Sequence, residues 1–120
     1  SVPPEYRERI PLVGYRGKNL ERVVLNEEDS GVMHGFTVDD FNGNGRTDLL
    51  TASFNGIALL EAQKDGRFRR RVLHAGHAGE WPKVGSSDVA VVRTNGKKYL
   101  AAIEPWHGNE FVLYTPKGSG

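Results

Sequence analysis

The chain has 120 residues, and 38% of them are hydrophobic, which is enough to form the core of one compact domain. The formal net charge of +1 gives no electrostatic reason to expect nucleic acid or an anionic membrane surface as a partner. The chain contains no cysteine, which excludes disulfides and thiolate zinc sites. No apolar stretch is long enough to span a bilayer, so we expect a domain that binds neither nucleic acid nor membrane.

Short runs of β-branched and aromatic residues, separated by glycine-bearing turns, predict strands throughout the chain and no helices. The predicted strands cover residues 10–15, 21–25, 35–38, 48–54, 57–62, 67–74, 88–92, 98–104 and 111–114. Asn55-Gly56 predicts a two-residue hairpin turn, because a type I′ turn requires positive φ at both of its central positions. Further turns are predicted at Asp65-Gly66, Asn95-Gly96 and Gly108-Asn109.

The order of the predicted strands repeats with a period of about fifty residues and four strands per unit, which is typical of β-propeller blades. We label the strands of a blade A to D from the propeller axis outward. Residues 1–33 then supply strands C and D of a preceding or ring-closing blade, 34–78 form a complete blade, 79–116 supply strands A to C of a second blade, and 117–120 are a tail or linker. The alternative is a simple meander or sandwich of about nine strands.

About two blades are too few to close a propeller ring. We therefore expect the chain to be a fragment of a larger propeller, or a subunit that completes one by self-association. In the second case, residues 21–25 could supply the strand D that the last blade lacks. The expected partners are accordingly further copies of this chain, as a homo-oligomer, or the remaining blades of a larger propeller.

The stretch DDFNGNGRTDLL, residues 39–50, places oxygen donors at alternate positions between two predicted strands. The residues that could supply these metal-binding oxygens are Asp40, Asn42, Asn44, Arg46 (through its carbonyl) and Asp48, at positions one, three, five, seven and nine of the loop. Calcium binds about six to eight oxygens, and alternate residues of a tight loop can converge on it. Thr51 stands where an EF-hand has its bidentate glutamate, so the loop is not an EF-hand. The alternative is a hairpin turn closed by bonds between its own side chains and backbone.

The residues VDDFNGNGRTDLL resemble the calcium loop of FG-GAP and VCBS-type repeats, whose pattern is D-x-[DN]-x-[DN]-G-x-x-D between strands A and B. The resemblance implies a propeller in which the loop has a structural role and holds calcium as a cofactor. The ligands that it implies are Asp40, Asn42, Asn44, the backbone of Arg46, and Asp48. Because asparagines stand at two positions that often carry aspartate, we expect a modest affinity. A calcium loop favours a secreted or periplasmic location, although the location stays open.

Four histidines are expected at the end of the propeller opposite to the acidic loop: His34, His74, His77 and His107. Strands of a blade alternate in direction, so A–B and C–D turns lie at one end, while B–C and D–A connections lie at the other. Glu104 and Trp106 belong to a B–C turn and would share this ligand-binding face. Imidazole and carboxylate groups can hold a second divalent metal, zinc or magnesium, or transfer protons, and Trp106 can stack on a sugar ring. The alternative is that the histidines are ordinary surface residues.

The stretch AAIEPWHGNEFVLYT, residues 101–115, resembles part of the propeller of aldos-2-ulose dehydratase-type proteins, which eliminate water from keto sugars. This resemblance implies a metal and a histidine base, and the matching catalytic positions are His107 and His34. Two functions therefore stay open. One is a calcium-stabilised module with a structural or interaction role that binds a protein or a glycan. The other is a metal-assisted sugar lyase with its site at the histidine-bearing face.

Two charged stretches are interpreted as solvated surface. The sequence NEEDSG, residues 26–31, predicts an acidic loop. The sequence RFRRR, residues 67–71, predicts an outermost strand whose exposed charges discourage edge-to-edge aggregation.

Overall fold

The computed structural model describes residues 9–30, 33–80, 84–105 and 110–115. The strands in this part of the chain are β1 (Arg9–Arg16), β2 (Glu21–Ser30), β3 (Met33–Asp39), β4 (Asp48–Ser53), β5 (Gly56–Ala62), β6 (Phe68–His74), β7 (Asp88–Thr94), β8 (Lys97–Glu104) and β9 (Glu110–Tyr114). They form three antiparallel sheets, with the strand orders β1-β2, β3-β4-β5-β6 and β7-β8-β9. The predicted all-β fold of four-stranded and smaller antiparallel sheets is confirmed. Within the described ranges, no helix is long and apolar enough to cross a membrane.

The first hairpin of the four-stranded sheet turns one residue earlier than the sequence predicts. Ser53 pairs with Gly56, so the turn consists of Phe54 and Asn55. Gly56 belongs to β5 and has a φ of +97°. A Cβ at Gly56 would overlap the backbone oxygen of His74, so this glycine permits a close approach of two strands. The turn predicted at Asn95-Gly96 is found as predicted, and both of its residues have positive φ.

The acidic stretch before β3 is part of a strand, and the prediction of a solvated loop there is wrong. β2 runs to Ser30, and the side chain of Asp29 is only 1% exposed. The Asp29 carboxylate accepts hydrogen bonds from the guanidinium of Arg70 at 2.7 Å, from the amide of Asn26 at 2.8 Å, and from the hydroxyl of Ser53 at 3.4 Å. These donors compensate the cost of removing the carboxylate from water.

The ion pair between Asp29 and Arg70 also corrects the interpretation of RFRRR, residues 67–71. The side chain of Arg70 is only 16% exposed, because it reaches from β6 across to Asp29 in β2. Arg69 and Arg71 point to the other side of β6, where both contact the carboxylate of Glu61. This strand therefore links the two-stranded sheet to the four-stranded sheet through a buried ion pair, in addition to carrying charge at the surface.

The hydrophobic core lies between the four-stranded sheet and the three-stranded sheet. Its buried members are Leu50, Ala52, Ile57, Leu59, Val89, Leu100 and Ala102. They alternate with residues of the opposite face along each strand, because successive side chains of a strand point to opposite sides. Full burial of one such leucine, isoleucine or valine contributes about 1.5–3 kcal/mol. The backbone also joins the two sheets, since the amide of Ser86 donates to the carbonyl oxygen of Ser53 at 2.9 Å.

No strand among the described residues covers the far face of the three-stranded sheet. By the alternation of side chains, Phe111 and Leu113 in β9 hold the positions that Ile57 and Leu59 hold in β5. Ile57 and Leu59 are fully buried, whereas Phe111 is 73% exposed and Leu113 is half exposed. The strand expected to complete this sheet, residues 21–25, is already paired with β1. Its use as a strand D for the last blade would therefore require β1 to accompany it or to separate from it.

We predict that the buried ion pair contributes strongly to stability. Replacement of Asp29 by asparagine leaves the Arg70 guanidinium without its counter-charge, and we expect the free energy of unfolding to fall by about 3 kcal/mol. The measurement is urea unfolding followed by circular dichroism. The exposed neighbour Glu28 is the matched control, and Glu28→Gln should change the free energy by less than about 0.5 kcal/mol. Equal effects of the two substitutions would contradict the prediction.

Candidate functional site

The acidic loop between β3 and β4 is closed by its own hydrogen bonds. The carboxylate of Asp40 accepts from the amides of Asn44 at 3.0 Å and Gly45 at 2.8 Å. The side-chain oxygen of Asn44 accepts from the amide of Arg46 at 2.9 Å. Gly43 and Gly45 have φ values of +73° and +85°, which allow the chain to turn tightly around the Asp40 carboxylate.

Asp48 anchors this loop to the sheet. Its side chain is fully buried, and its two oxygens accept from the amide of Phe41 at 3.2 Å and from the amide of Ala62 at 2.9 Å. The side-chain amide of Asn42 donates to Glu61 at 2.8 Å. The loop is thus tied both to β5 and to itself, as expected for a turn closed by side-chain-to-backbone bonds.

The neighbouring hairpin brings two cations to the loop. The guanidinium of Arg93 binds both carboxylate oxygens of Asp39, at 2.8 and 2.7 Å. The ammonium of Lys98 donates to the carbonyl oxygen of Phe41 and lies 3.7 Å from the centre of its ring. The hydrogen bond from Arg93 holds the pKa of Asp39 below its usual value, against the opposing effect of burial. The loop therefore also fixes the three-stranded sheet relative to the four-stranded sheet.

The loop residues fit a calcium ion in donor chemistry. Asp40 and Asp48 supply carboxylates, Asn42 and Asn44 supply amide oxygens, and Arg46 supplies a carbonyl. Oxygens that already accept one hydrogen bond keep a second lone pair. Two features oppose tight binding: only two of the side-chain donors carry formal charge, and Arg93 and Lys98 place positive charge beside the loop.

Of the residues predicted for the site at the histidine-bearing face (His34, Glu104, Trp106 and His107), Glu104 is the one whose side-chain contacts are described. It lies at the end of β8, is 4% exposed, and accepts a hydrogen bond from the hydroxyl of Ser86 at 3.1 Å. It also accepts from the hydroxyl of Tyr114. His34 lies in β3, between Met33 and Gly35, where the pairing with β4 shifts register. Trp106 and His107 lie outside the described residues.

Tyr114 lies at the junction of the two larger sheets. Its ring centre is 4.2 Å from that of His74 at the end of β6, and its hydroxyl reaches Glu104 on β8. Burial raises the pKa of Tyr114 well above its usual range, and the hydrogen bond to Glu104 and the charge of that carboxylate raise it further. The phenol is therefore protonated and acts as a hydrogen-bond donor at neutral pH.

A second acid–base pair lies at the same end of the strands. Nδ1 of His77 is 3.3 Å from Oε1 of Glu110, the first residue of β9. The backbone of His77 exchanges two hydrogen bonds with Gly85, both at 3.1 Å. Because β8 and β9 pair Glu104 with Glu110, this pair is next to the Glu104 network.

The sequence reasoning missed Ser86, Glu110 and Tyr114 as members of this face. Glu110 and Tyr114 share the period-2 pattern of β9, which places their side chains on one side of the sheet. The pattern predicts which residues lie on the same side of the sheet. It does not predict that this side contacts His74 and His77. In the described part of the chain, no group of three or more histidine, aspartate or glutamate side chains is placed to hold a metal ion.

Comparison with known proteins identifies one family. Residues 14–117 match the family model described as "Aldos-2-ulose dehydratase, beta-propeller domain". This range begins within β1 and extends beyond β9, so the matched region contains nearly all of the described strands. The propeller interpretation of the antiparallel sheets is thereby confirmed, and closure of the ring stays a prediction. No curated protein and no solved structure matches the chain.

We predict that Asp48 is required for the loop to hold its place. An asparagine at this position has one acceptor oxygen for the two amides of Phe41 and Ala62, and its NH₂ group faces one of these donors. Leaving a buried donor without its acceptor costs about 1–3 kcal/mol, and we expect Asp48→Asn to lower the free energy of unfolding by that amount.

The measurement is made in a calcium chelator, so that any effect of a bound cation is removed. Asp65→Asn is the matched control, because Asp65 is exposed and accepts a single amide bond from Arg67 through Oδ1. An unfolding free energy of Asp48→Asn equal to that of the control would show that the buried hydrogen bonds do not hold the loop.

Proposed function

The chain belongs to the aldos-2-ulose dehydratase β-propeller domain family, and from this membership we propose that it binds a sugar with a carbonyl group and takes part in eliminating water from it. The site is the face that carries Glu104, Tyr114 and the His77–Glu110 pair. Membership of a dehydratase propeller family supports this class of reaction, and the side chains at this face are of the types that such a reaction uses.

Elimination of water next to a carbonyl requires a proton acceptor and a proton donor. A base removes a proton from the carbon beside the carbonyl, and the C–H electrons form a carbon–carbon double bond. The hydroxyl on the following carbon leaves and takes up a proton, so that water is released and an enone forms. A site for this reaction must therefore place acid–base groups on both sides of one bond of the sugar.

The observation that carries the proposal is the buried carboxylate of Glu104 with its two hydroxyl donors, Ser86 and Tyr114. A carboxylate that is 4% exposed, and that is held by two hydroxyl groups, one from the connection before β7 and one from β9, has a fixed position and a fixed orientation. In the sequence, Glu104 and Pro105 precede residues 106–109, which contain Trp106 and His107, and Glu104 pairs with Glu110 across the two strands. These residue types suit the recognition of a sugar through hydroxyl bonds and ring stacking.

Besides the calcium expected in the acidic loop, a second metal ion (zinc or magnesium) would polarise the sugar carbonyl at this face. The residues of this face that could hold it are His34, Glu104 and His107, as the sequence analysis predicts. The side chains described at this face do not by themselves form a set of three metal ligands. The role of the described residues is therefore to bind the sugar and to move protons.

We predict that the chain converts the 2-keto derivative of glucose to an enone and that Glu104 is required. The assay follows the ultraviolet absorbance of the conjugated product, and saturation-transfer NMR reports sugar binding. Loss of hydrogen bonds to a charged group costs about 1.5–3 kcal/mol, so Glu104→Gln should lower kcat/KM about 10-fold to 100-fold. Glu28→Gln, at an exposed position of β2, should have no effect. Absence of both sugar binding and enone formation in the unsubstituted chain would refute the proposed function.

A second proposed function is that of a calcium-stabilised module, in which the loop holds calcium and the propeller surface binds a protein or a glycan. The observation that favours it is the tight folding of the loop around Asp40, whose carboxylate accepts from the amides of Asn44 and Gly45, while the side chain of Asn44 accepts from the amide of Arg46. This role is compatible with a sugar site at the other end of the strands, because the two regions share no residues.

We predict that calcium raises the melting temperature through Asp40. At a calcium concentration about ten times Kd, binding to the folded state stabilises it by about 1.4 kcal/mol, which corresponds to about 5 °C in Tm. The measurement compares melting in calcium and in chelator. Asp40→Ala should abolish the difference, and the exposed control Asp65→Ala should keep it. A melting temperature that is the same in calcium and in chelator would exclude the calcium role.

A further inference from the structure

We propose that His77 and Glu110 are the proton-transfer pair of the sugar site, with Nε2 of His77 as the base that removes the proton beside the sugar carbonyl. This inference rests on the proposed sugar-dehydrating function and assigns its central step to His77, which the sequence placed at this face without a specific role, and to Glu110, which the sequence did not point to. It depends on three properties of the pair: its geometry, its anchoring and its exposure.

The geometry of the pair fixes which imidazole nitrogen is available. Nδ1 of His77 lies 3.3 Å from Oε1 of Glu110, so the carboxylate favours the form of the ring that has its proton on Nδ1. The lone pair of Nε2 then points away from Glu110 and is free to accept a proton. A carboxylate in this position also stabilises the imidazolium that forms after proton transfer, which is the role of the acid in histidine-containing triads.

The backbone around His77 is rigid. The amide and carbonyl of His77 both bond to Gly85, and the two neighbouring chain segments approach so closely that only glycine fits. Gly76 has a φ of +78° and Gly85 a φ of +74°. A Cβ at Gly76 would overlap the backbone of Gly85, and a Cβ at Gly85 would overlap the backbone oxygens of Ser53 and Phe54. An imidazole held on such a connection keeps its position when a substrate binds, which favours catalysis by orientation.

The pair is exposed enough to meet a ligand. The side chains of His77 and Glu110 are 38% and 57% exposed, whereas Glu104 beside them is nearly buried. An exposed ion pair of this kind contributes only about 0–1 kcal/mol to stability. Its substitution should therefore leave the fold intact, so that a loss of activity can be assigned to the chemistry.

His74, the other histidine at this face whose side chain is described, does not fit the role of base. Its Nδ1 accepts a hydrogen bond from the amide of Gly76 at 3.0 Å, which leaves the proton of the neutral ring on Nε2. Its ring also packs against Tyr114. His74 therefore orders the connection after β6 and the ring of Tyr114, while His77 presents an unprotonated nitrogen.

The proposed step balances without a further reactant. Nε2 of His77 takes the proton from the carbon beside the carbonyl, and the electrons of the C–H bond form the C=C bond. The C–O bond on the following carbon breaks, and the departing hydroxyl receives the proton from the His77 imidazolium. One water molecule leaves, and His77 returns to its neutral form with the Nδ1 proton beside the Glu110 carboxylate.

The test measures kcat and KM with the 2-keto derivative of glucose for His77→Gln, Glu110→Ala and the control Glu28→Gln. We expect His77→Gln to lower kcat about 100-fold or more with little change in KM, because general-base catalysis contributes about 10²–10⁴-fold. Glu110→Ala should lower kcat about 10-fold to 100-fold, since it acts by orienting the imidazole. Melting temperatures of both variants should equal that of the unsubstituted chain.

Two further readouts separate this assignment from the proposed function. Incorporation of deuterium from D₂O into the carbon beside the carbonyl reports proton removal alone, and it should be lost in His77→Gln. The ¹⁵N NMR spectrum of His77 should show the Nδ1–H form, which Glu110→Ala should convert to a mixture of forms.

The outcomes distinguish a wrong assignment of the base from a wrong proposed function. If the unsubstituted chain eliminates water and His77→Gln does so at the same rate, the assignment of the base is wrong and the proposed function stands. If the unsubstituted chain neither exchanges the proton nor forms the enone, the proposed function fails and this inference fails with it.

Discussion

The constraint on which the structure depends is that an antiparallel sheet with two apolar faces must be covered on both. Leu50, Ala52, Ile57 and Leu59 are fully buried because the three-stranded sheet lies against them. A sheet of this size does not stand alone in water, so the stacking of sheets is a condition of folding rather than a consequence of it. The stacking also sets where the connection between the sheets must pass, since Ser86 bonds directly to Ser53.

Polar interactions at the two ends of this apolar contact keep the sheets in register. At the end with the acidic loop, Arg93 binds Asp39 through two hydrogen bonds. At the other end, the ring of Tyr114 packs against His74 while its hydroxyl reaches Glu104. Apolar packing alone tolerates sliding, whereas bidentate and buried hydrogen bonds have a preferred geometry. The second group of interactions also forms the candidate site, so the geometry of the site and the contact between the sheets are determined together.

The alternation of side chains made the strands predictable from the sequence, and local patterns also located the turn at Asn95-Gly96. The errors came from interactions between residues distant in the chain. Asp29 was interpreted as solvated because its neighbours are acidic, yet its charge is balanced by Arg70, 41 residues later. The Asn55-Gly56 turn was displaced because Gly56 serves a close contact with β6. For the site, Glu104 could be selected from its own segment, whereas the pairing of His77 with Glu110 depends on how two sheets meet.

The uncovered face of the three-stranded sheet bears on the site as well as on the fold. Phe111 and Leu113 are exposed at positions whose counterparts in the four-stranded sheet form the core, so within the described part of the chain this face lacks the neighbouring sheet that the four-stranded sheet has. Phe111 directly follows Glu110 in β9, and their side chains point to opposite sides of the same strand. Any sheet that covers Phe111 must therefore lie one strand thickness from the His77–Glu110 pair. It would exclude water from one side of the pair, and that would strengthen the electrostatic coupling between the imidazole and its carboxylate.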